Sequence, residues 1–411
     1  MSETSTPPVW QRAGFRAYLG STAFTGLAFS MQQLLVSWLL VGVLLLPGEQ
    51  VGVAQALMGL PGILLMLWGG ATADRMDPRT LLLRVYSVAP LVPLALVAVD
   101  RSDWLSVWTV TAWGLGMSTL TSFSSPAHAA ILNRVSGPSV QQGVTASTVI
   151  AFLVQILGLA LAGQLERVGL VTVLIVQAVC LSIGVLALRR IQAQPAAAVG
   201  PAQPAWRGVV EGLRATVRHR VILAVVTLNF VSSVFNAGAF MTALPFIIKR
   251  VYQGDAALLA GTMIVFFAGA TISNLILFRY MPLAHPGRLF LLMQLTRAAI
   301  VCLIWMRPDW WLLIVAMVAW GLNMGVTTTT ARAIVQESAS PEFRGRILSV
   351  FNVGLMGSAP LGAIVLGWII EAFGTLNALI PAMAISVLIF AAGLPFTGIW
   401  SYRSALHDAG G

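Results

Sequence analysis

GGATADRMDPRT, Gly69–Thr80, closes a long apolar run by crowding Asp74, Arg75, Asp77, Pro78 and Arg79 into a single short turn. Just before it stands LPGILLMLW, and soon after it LVPLALVAV begins the next oily run. This alternation of apolar segment and brief polar break repeats through the whole chain. Of its 411 residues, 58% are hydrophobic and 9% charged, and the mean hydropathy is +0.86. That balance excludes an ordinary soluble domain.

A bilayer core of about 30 Å takes roughly 20 apolar residues per helix. Cutting at the charged or Pro/Gly-rich breaks predicts twelve spans: 15–46, 51–73, 80–99, 104–131, 143–165, 170–188, 221–248, 256–278, 289–306, 311–333, 347–370 and 376–400. The runs are continuous, whereas a membrane β-barrel would alternate over about ten residues. The reading is an all-α, multi-pass membrane protein. The polar start, MSETSTPPVWQRAGFR, has no short apolar core with a cleavage site, so the first span is expected to act as its own anchor.

Basic residues near helix ends fix orientation. With the N-terminus inside, arginines such as Arg12, Arg16, Arg134, Arg189, Arg190, Arg214 and Arg218 fall on the cytoplasmic side, while Arg101, Arg167, Lys249, Arg250 and Arg307 fall outside. Both termini are therefore expected in the cytoplasm. The net charge of +10 is read as a topology signal and not as a nucleic-acid footprint. Cys180 and Cys302 lie in apolar spans and suggest neither a disulfide framework nor a metal site, and no cofactor is indicated.

The chain repeats itself. WGLGMSTLTS at Trp113 returns as WGLNMGVTTT at Trp320, and Gly158, Gly163, Glu166 and Gly169 return as Gly362, Gly367, Glu371 and Gly374. Duplicated helix bundles are a recurrent plan of transporters. The expected division is 1–188 and 221–411 as two six-helix bundles, with 189–220 between them. The linker opens Ala/Pro-rich and then places Trp206, Val209, Val210, Leu213 and Val217 on one face among arginines, as a basic amphipathic helix on an anionic leaflet would.

Within the opening stretch, Gly70, Asp74, Arg75 and Arg79 match the pattern G-x-x-x-D-R-x-G-R-R, with Asp77 and Pro78 departing from it. In this the chain resembles the major facilitator superfamily. FRAYL near the start, LPGILLMLWGGATADR, PEFRGRILSV and the paired glycines of the fifth and eleventh spans resemble its branch of enterobactin and macrolide-type exporters. The resemblance implies a monomeric transporter of a bacterial inner membrane, with four cavity-lining spans, the first, fourth, seventh and tenth. It also implies that Asp74 latches the start of the eleventh span near Ile347, assisted by Gly70, Arg75, Arg79 and Arg346. Arg75 and Arg79 equally serve as markers of the inner side.

Polar residues are costly in lipid and tend to face an internal cavity. Asn229, Ser232 or Ser233, Asn236 and Phe240 recur at steps of three and four, as do Trp320, Asn323, Thr327 and Thr330. In the fourth span Ser118, Ser122, Ser125 and His128 run in line, and Ser21, Thr25 and Gln32 do so in the first. Any one Ser or Thr also has an alternative use, bonding its own helix backbone. Trp113, Phe240 and Trp320 offer aromatic walls or packing. Arg297 sits about eight residues into its span, roughly 12 Å deep at 1.5 Å per residue, with Gln294 one turn before it. It meets either an acceptor-bearing substrate or structural oxygens.

Proton coupling calls for a titratable group within the membrane. The 14 acids gather at the two sides, and the first span reads LAFSMQQ where related antiporters carry an acid. Leu159 and Ala162 stand where the antiporter signature of the fifth span has proline and glycine. His128, Glu337 and Asp74 remain as candidates. No H-E-x-x-H motif or carboxylate pair with a base suggests an enzyme. The expectation is a proton-coupled exporter of small amphiphilic organic molecules, drug-like or siderophore-like, working by alternating access. An uncoupled facilitator or carrier of lipid-like substrates, and a non-transporting membrane sensor, are the alternatives.

Overall fold

The structure, a computed structural model, describes residues 9–73, 77–192 and 205–404. Asp74 and Arg75 of the expected latch lie outside the described residues. Helices follow one another with no strand among the described residues: α1 Ala13–Trp38, α2 Gly48–Ala73, α3 Pro78–Val88, α4 Leu91–Arg101, α5 Val107–Ser136, α6 Val140–Ala162, the short α7 Leu165–Val168, and α8 Leu170–Arg189. Then come α9 Ala205–Arg218, α10 Arg220–Gly238, the short α11 Leu244–Phe246, α12 Ala256–Tyr280, α13 Pro286–Trp305, α14 Trp310–Ser338, α15 Arg344–Phe373 and α16 Ile380–Phe396.

Among the described residues, ten helical stretches are long and apolar enough to cross a membrane. The 26-residue α2 and the 30-residue α5 coincide with the other two predicted spans. Large apolar side chains such as Leu64, Leu275, Phe278 and Trp311 are more than half exposed, a surface suited to lipid rather than water. The predicted fold class, an all-α chain of long apolar helices, is the one observed.

Local chemistry sets the helix ends. Asp77 accepts the Thr80 amide at 3.2 Å and Pro78 fills the first position of α3, so the two departures from the G-x-x-x-D-R pattern make a helix start. Asp255 does the same for α12, accepting the Leu258 amide at 2.8 Å. Gly169 and Gly374 end their helical segments at φ 83° and 95°, where a side chain would be strained. These glycines are repeat partners in sequence and share one backbone conformation.

The chain divides into two compact units. The first comprises Met1–Val36 and Leu60–Ala202, the second Ser37–Gly59 and Gln203–Gly411. In the first, α3 packs on α5 and α8, and α4 on α8. A Cβ on Gly158 of α6 would press on Ser30 and on the carbonyl of Leu27 in α1. In the second, α12 packs on α14, α10 on α15, and α13 on α14 and α16. There Gly362 of α15 lies against the Val234 carbonyl and Gly238 of α10, repeating the close approach in the first unit. A core of Ile222, Val225, Phe290, Leu291, Ile334 and Phe351 fills one end of this unit.

The segment Ser37–Gly59 joins the second unit through backbone contacts. Gly48 and Gly52 abut the carbonyls of Gly367 and Ala363, and Gly59 abuts the Pro360 ring. The Glu371 carboxylate accepts the Gly48 amide at 3.0 Å. Gln55 accepts from Thr242 Oγ1 at 2.6 Å and donates to the Met241 carbonyl at 3.2 Å. The helical ladder switches to π geometry at Leu39–Val43 and again at Ala239–Ala243, the continuations of α1 and α10.

Candidate functional site

In the second unit, α10, α13 and α14 turn their polar residues toward one another. Arg297 of α13 is 5% exposed, so its charge is removed from solvent. Its Nε donates to Asn323 Oδ1 at 3.0 Å, its Nη2 to Thr327 Oγ1 at 2.9 Å, and its Nη1 to Gln294 Oε1 at 3.2 Å and to Ser232 Oγ. A guanidinium presents five donors in a planar fork, and four of these bonds tie together three helices. Every acceptor is neutral. Among the described residues no carboxylate pairs with Arg297, so the cluster carries an uncompensated positive charge.

The surrounding groups are only partly satisfied. Asn323 Nδ2 donates to the Met293 carbonyl at 2.7 Å and to Thr296 Oγ1 at 2.8 Å, and Asn236 Nδ2 donates to the Ser232 carbonyl at 2.8 Å. Asn236 Oδ1 and Gln294 Nε2, however, are buried without a partner. Each orphaned group of this kind costs about 1–3 kcal/mol. A ligand bearing both an acceptor and a donor would relieve them. Asn229 is buried on the same helix, one turn before Ser232.

Aromatic rings begin next to this cluster. Phe240, four residues beyond Asn236, stacks on Phe266 with centroids 4.1 Å apart and meets Trp320 edge-on at 5.9 Å. Trp320 itself stands three residues before Asn323. Polar groups on one turn and rings on the next make an amphiphilic lining.

In the first unit, the Tyr86 hydroxyl of α3 is 2.8 Å from His128 Nε2 of α5. Tyr18 of α1 meets the same imidazole edge-on at 5.8 Å, and His128 Nδ1 has no partner. Gln177 Nε2 donates to Gln32 Oε1 at 3.2 Å and to the Ala28 carbonyl at 2.9 Å. Trp113 is buried with an unpartnered Nε1. Ser125 is exposed, on a different face of α5 from its buried neighbour Ser124.

The residues expected to gate divide differently. Gly70 lies within α2, and Arg79 Nη2 donates to the Arg189 carbonyl at 3.1 Å. Arg346, at the start of α15, pairs with Glu211 of α9 at 3.0 Å and lies over the Phe343 ring. Asp77 pairs with Arg134 at 2.8 Å. Burial raises the Asp77 pKa, but the Arg134 and Thr80 hydrogen bonds and the Arg134 charge outweigh it and hold the carboxyl below its ordinary value. Glu337, a coupling candidate, accepts from the Tyr402 hydroxyl at 3.2 Å.

Several contributors were missed by the search for polar helix faces. Tyr86, Gln177 and Gln55 have no polar residue three or four positions away on their helices, so a search for polar faces passes over them. Arg134 was read as a topology marker only, because its ion pair with Asp77 spans residues far apart in the chain.

A family model described as transmembrane secretion effector matches residues 4–400. The chain belongs to that family. No curated protein matches this sequence. Among solved structures it is similar to the nucleoside transporter NupG, with TM-score 0.76 and 12% identity over 95% of this chain and 100% of that one. A bacterial homologue of the human lysosomal transporter Spinster gives TM-score 0.75 and 12% identity, covering 95% and 98%. A POT family transporter bound to 5-aminolevulinic acid gives 0.72 and 12%, covering 95% and 97%. At such identities the likeness concerns the fold, which is that of the major facilitator transporters. The chain is thus a membrane transporter of major facilitator type.

Proposed function

We propose that this chain exports small amphiphilic organic molecules by alternating access of its two repeat halves, 1–188 and 221–411, about the linker 189–220. The observation that carries the reading is the cluster around Arg297, a buried cation with one free acceptor, Asn236 Oδ1, and one free donor, Gln294 Nε2, beside the rings of Phe240 and Trp320. An apolar bundle gains nothing in stability from such unfilled polar capacity. A passing molecule with a polar end and an aromatic or aliphatic body would fill it. The family's description as a secretion effector supports the outward direction.

Asn229, Asn236, Phe240, Arg297, Asn323 and Thr327 are proposed to contact the substrate from the second unit, and Gln32, Trp113, Ser125 and His128 from the first. Gly70, Asp74, Arg75, Arg79 and Arg346 are the proposed cytoplasmic gate. Opening of the outer side would part Ser37–Gly59 from α10 and α15. His128, hydrogen-bonded to Tyr86 and with a free Nδ1, is the favoured carrier of the coupled proton, ahead of Glu337 and Asp74. The chain would sit as a monomer in a bacterial inner membrane, termini inside.

The test is flux in sealed proteoliposomes loaded with cationic dyes, macrolides or catecholate siderophores, with and without an imposed pH gradient. Uphill movement dependent on the gradient is expected. Movement indifferent to the gradient would replace the coupled reading with an uncoupled facilitator, and binding without movement would make the chain a sensor.

A further inference from the structure

A second cavity of about 430 Å³ lies where α9 meets the ends of α10, α14 and α15, within the size range of small-ligand pockets. Arg214, Arg218 and His219 line it from the linker side, Ser340 and Phe343 from the loop between α14 and α15. Its one acid, Glu211, is engaged by Arg346 at 3.0 Å, outside the group of arginines that face the cavity. Neither Arg214 nor Arg218 has a hydrogen bond or ion pair among the described residues. Their charges are therefore the uncompensated ones on this wall.

The other lining groups favour the same sign of ligand. His219 Nδ1 accepts the Ile222 amide at 3.4 Å, so the neutral ring carries its proton on Nε2 as a donor. The 19-residue α10, capped by His219, and the 30-residue α15, which follows Phe343, both begin at this cavity and turn their positive ends to it. Opposite the arginines, Ile222, Phe343 and Ile347 give an apolar wall. Gly212 brings α9 against the Arg346 carbonyl, which holds the linker helix close to α15.

Two free arginines, a ring donor and an apolar wall fit a phosphate group attached to a carbon skeleton. We propose that this cavity binds such a phosphate ester, which fastens the linker helix to the ends of α14 and α15. An anionic phospholipid headgroup and a soluble phosphate monoester share this chemistry. The bonds are charge-assisted on both arginines.

The experiment uses the full chain in detergent and measures the thermal unfolding midpoint and the phospholipid retained in native mass spectra. Phosphatidylglycerol, phosphatidylcholine and glycerol 3-phosphate are titrated separately. Stabilisation by phosphatidylglycerol and not by phosphatidylcholine is expected, with affinity about thirtyfold weaker in the Arg214→Gln/Arg218→Gln double variant. Equal stabilisation by glycerol 3-phosphate would assign the site to a soluble ester. Ala215→Leu puts three more carbons into the cavity while keeping both arginines, and should weaken binding as well. If it binds phosphatidylglycerol as the wild type does, or if Arg101→Gln/Arg167→Gln weakens binding as much as the first pair, the cavity is not the site.

Discussion

The Nε of Arg297 lies 3.0 Å from Asn323 Oδ1, joining α13 to α14 through a cation that no described carboxylate balances. Arg297→Met would remove four hydrogen bonds; Ser232 and Gln294 keep the 3.2 Å bond between them and Thr327 keeps the Asn323 carbonyl at 2.8 Å, so Asn323 Oδ1 loses most, at about 1–3 kcal/mol. The unfolding midpoint in detergent should fall steeply. Arg297→Lys keeps the charge and loses the fork, so its midpoint should be intermediate. If Arg297→Lys restores both midpoint and substrate binding, the planar geometry is dispensable.

Asp77 yields a pH signature. Its carboxyl is held below the ordinary value in the folded chain, so its ion pair and cap stabilise fully above the ordinary carboxylate pKa of 3.8. That contribution fades as pH falls below 3.8 through the lower folded value. Asp77→Asn keeps a capping side chain and removes the charge. Its deficit against wild type, read as midpoint against pH, should be constant from pH 7 down to about pH 4 and shrink below that. A deficit that grows on acidification would contradict the assignment.

His128 and Tyr86 make a coupled pair for mutation. His128→Gln should abolish gradient-driven uphill flux while downhill exchange continues, with substrate affinity lowered because the same ring is proposed to touch the substrate, and Tyr86→Phe, which removes the 2.8 Å bond, should shift the pH profile of flux. Uphill flux that survives in His128→Gln moves the proton to Glu337 or Asp74.

Gly52→Ala would drive a Cβ into the carbonyl of Ala363, where both sides are backbone. Overpacking of this kind costs about 1–3 kcal/mol. Gly345→Ala, with nothing within 4 Å, should instead leave stability equal or higher. Paired thermal melts decide it: equal effects at the two sites would mean that the close approach of α2 to α15 is not a constraint.

Hydrophobic run length made the twelve spans legible, because lipid leaves the backbone no other solution. The sequence repeat foretold Gly169 and Gly374, whose identical backbone conformation is what a duplicated loop demands. The period of three and four also singled out Asn323 and Thr327, and depth within its span singled out Arg297; the structure brings the three within hydrogen-bond distance. The period does not carry burial: Ser125, in line with His128 in the sequence, is exposed where His128 is only partly so. The packing of Ser37–Gly59 left a trace in the four-residue spacing of Gly48 and Gly52, which permits close helix approach but does not name the partner helix, and Gln55 meets a hydroxyl 187 residues away.

That segment separates the unit of duplication from the unit of packing. Hybrids spliced from two relatives at the linker would carry Ser37–Gly59 from one parent and α10 and α15 from the other. The glycines, the Pro360 ring and the Thr242 hydroxyl would then meet surfaces they did not evolve beside. Viable shuffling of such transporters therefore needs three junctions, near 36, near 59 and in the linker, so that the segment travels with the half it packs against.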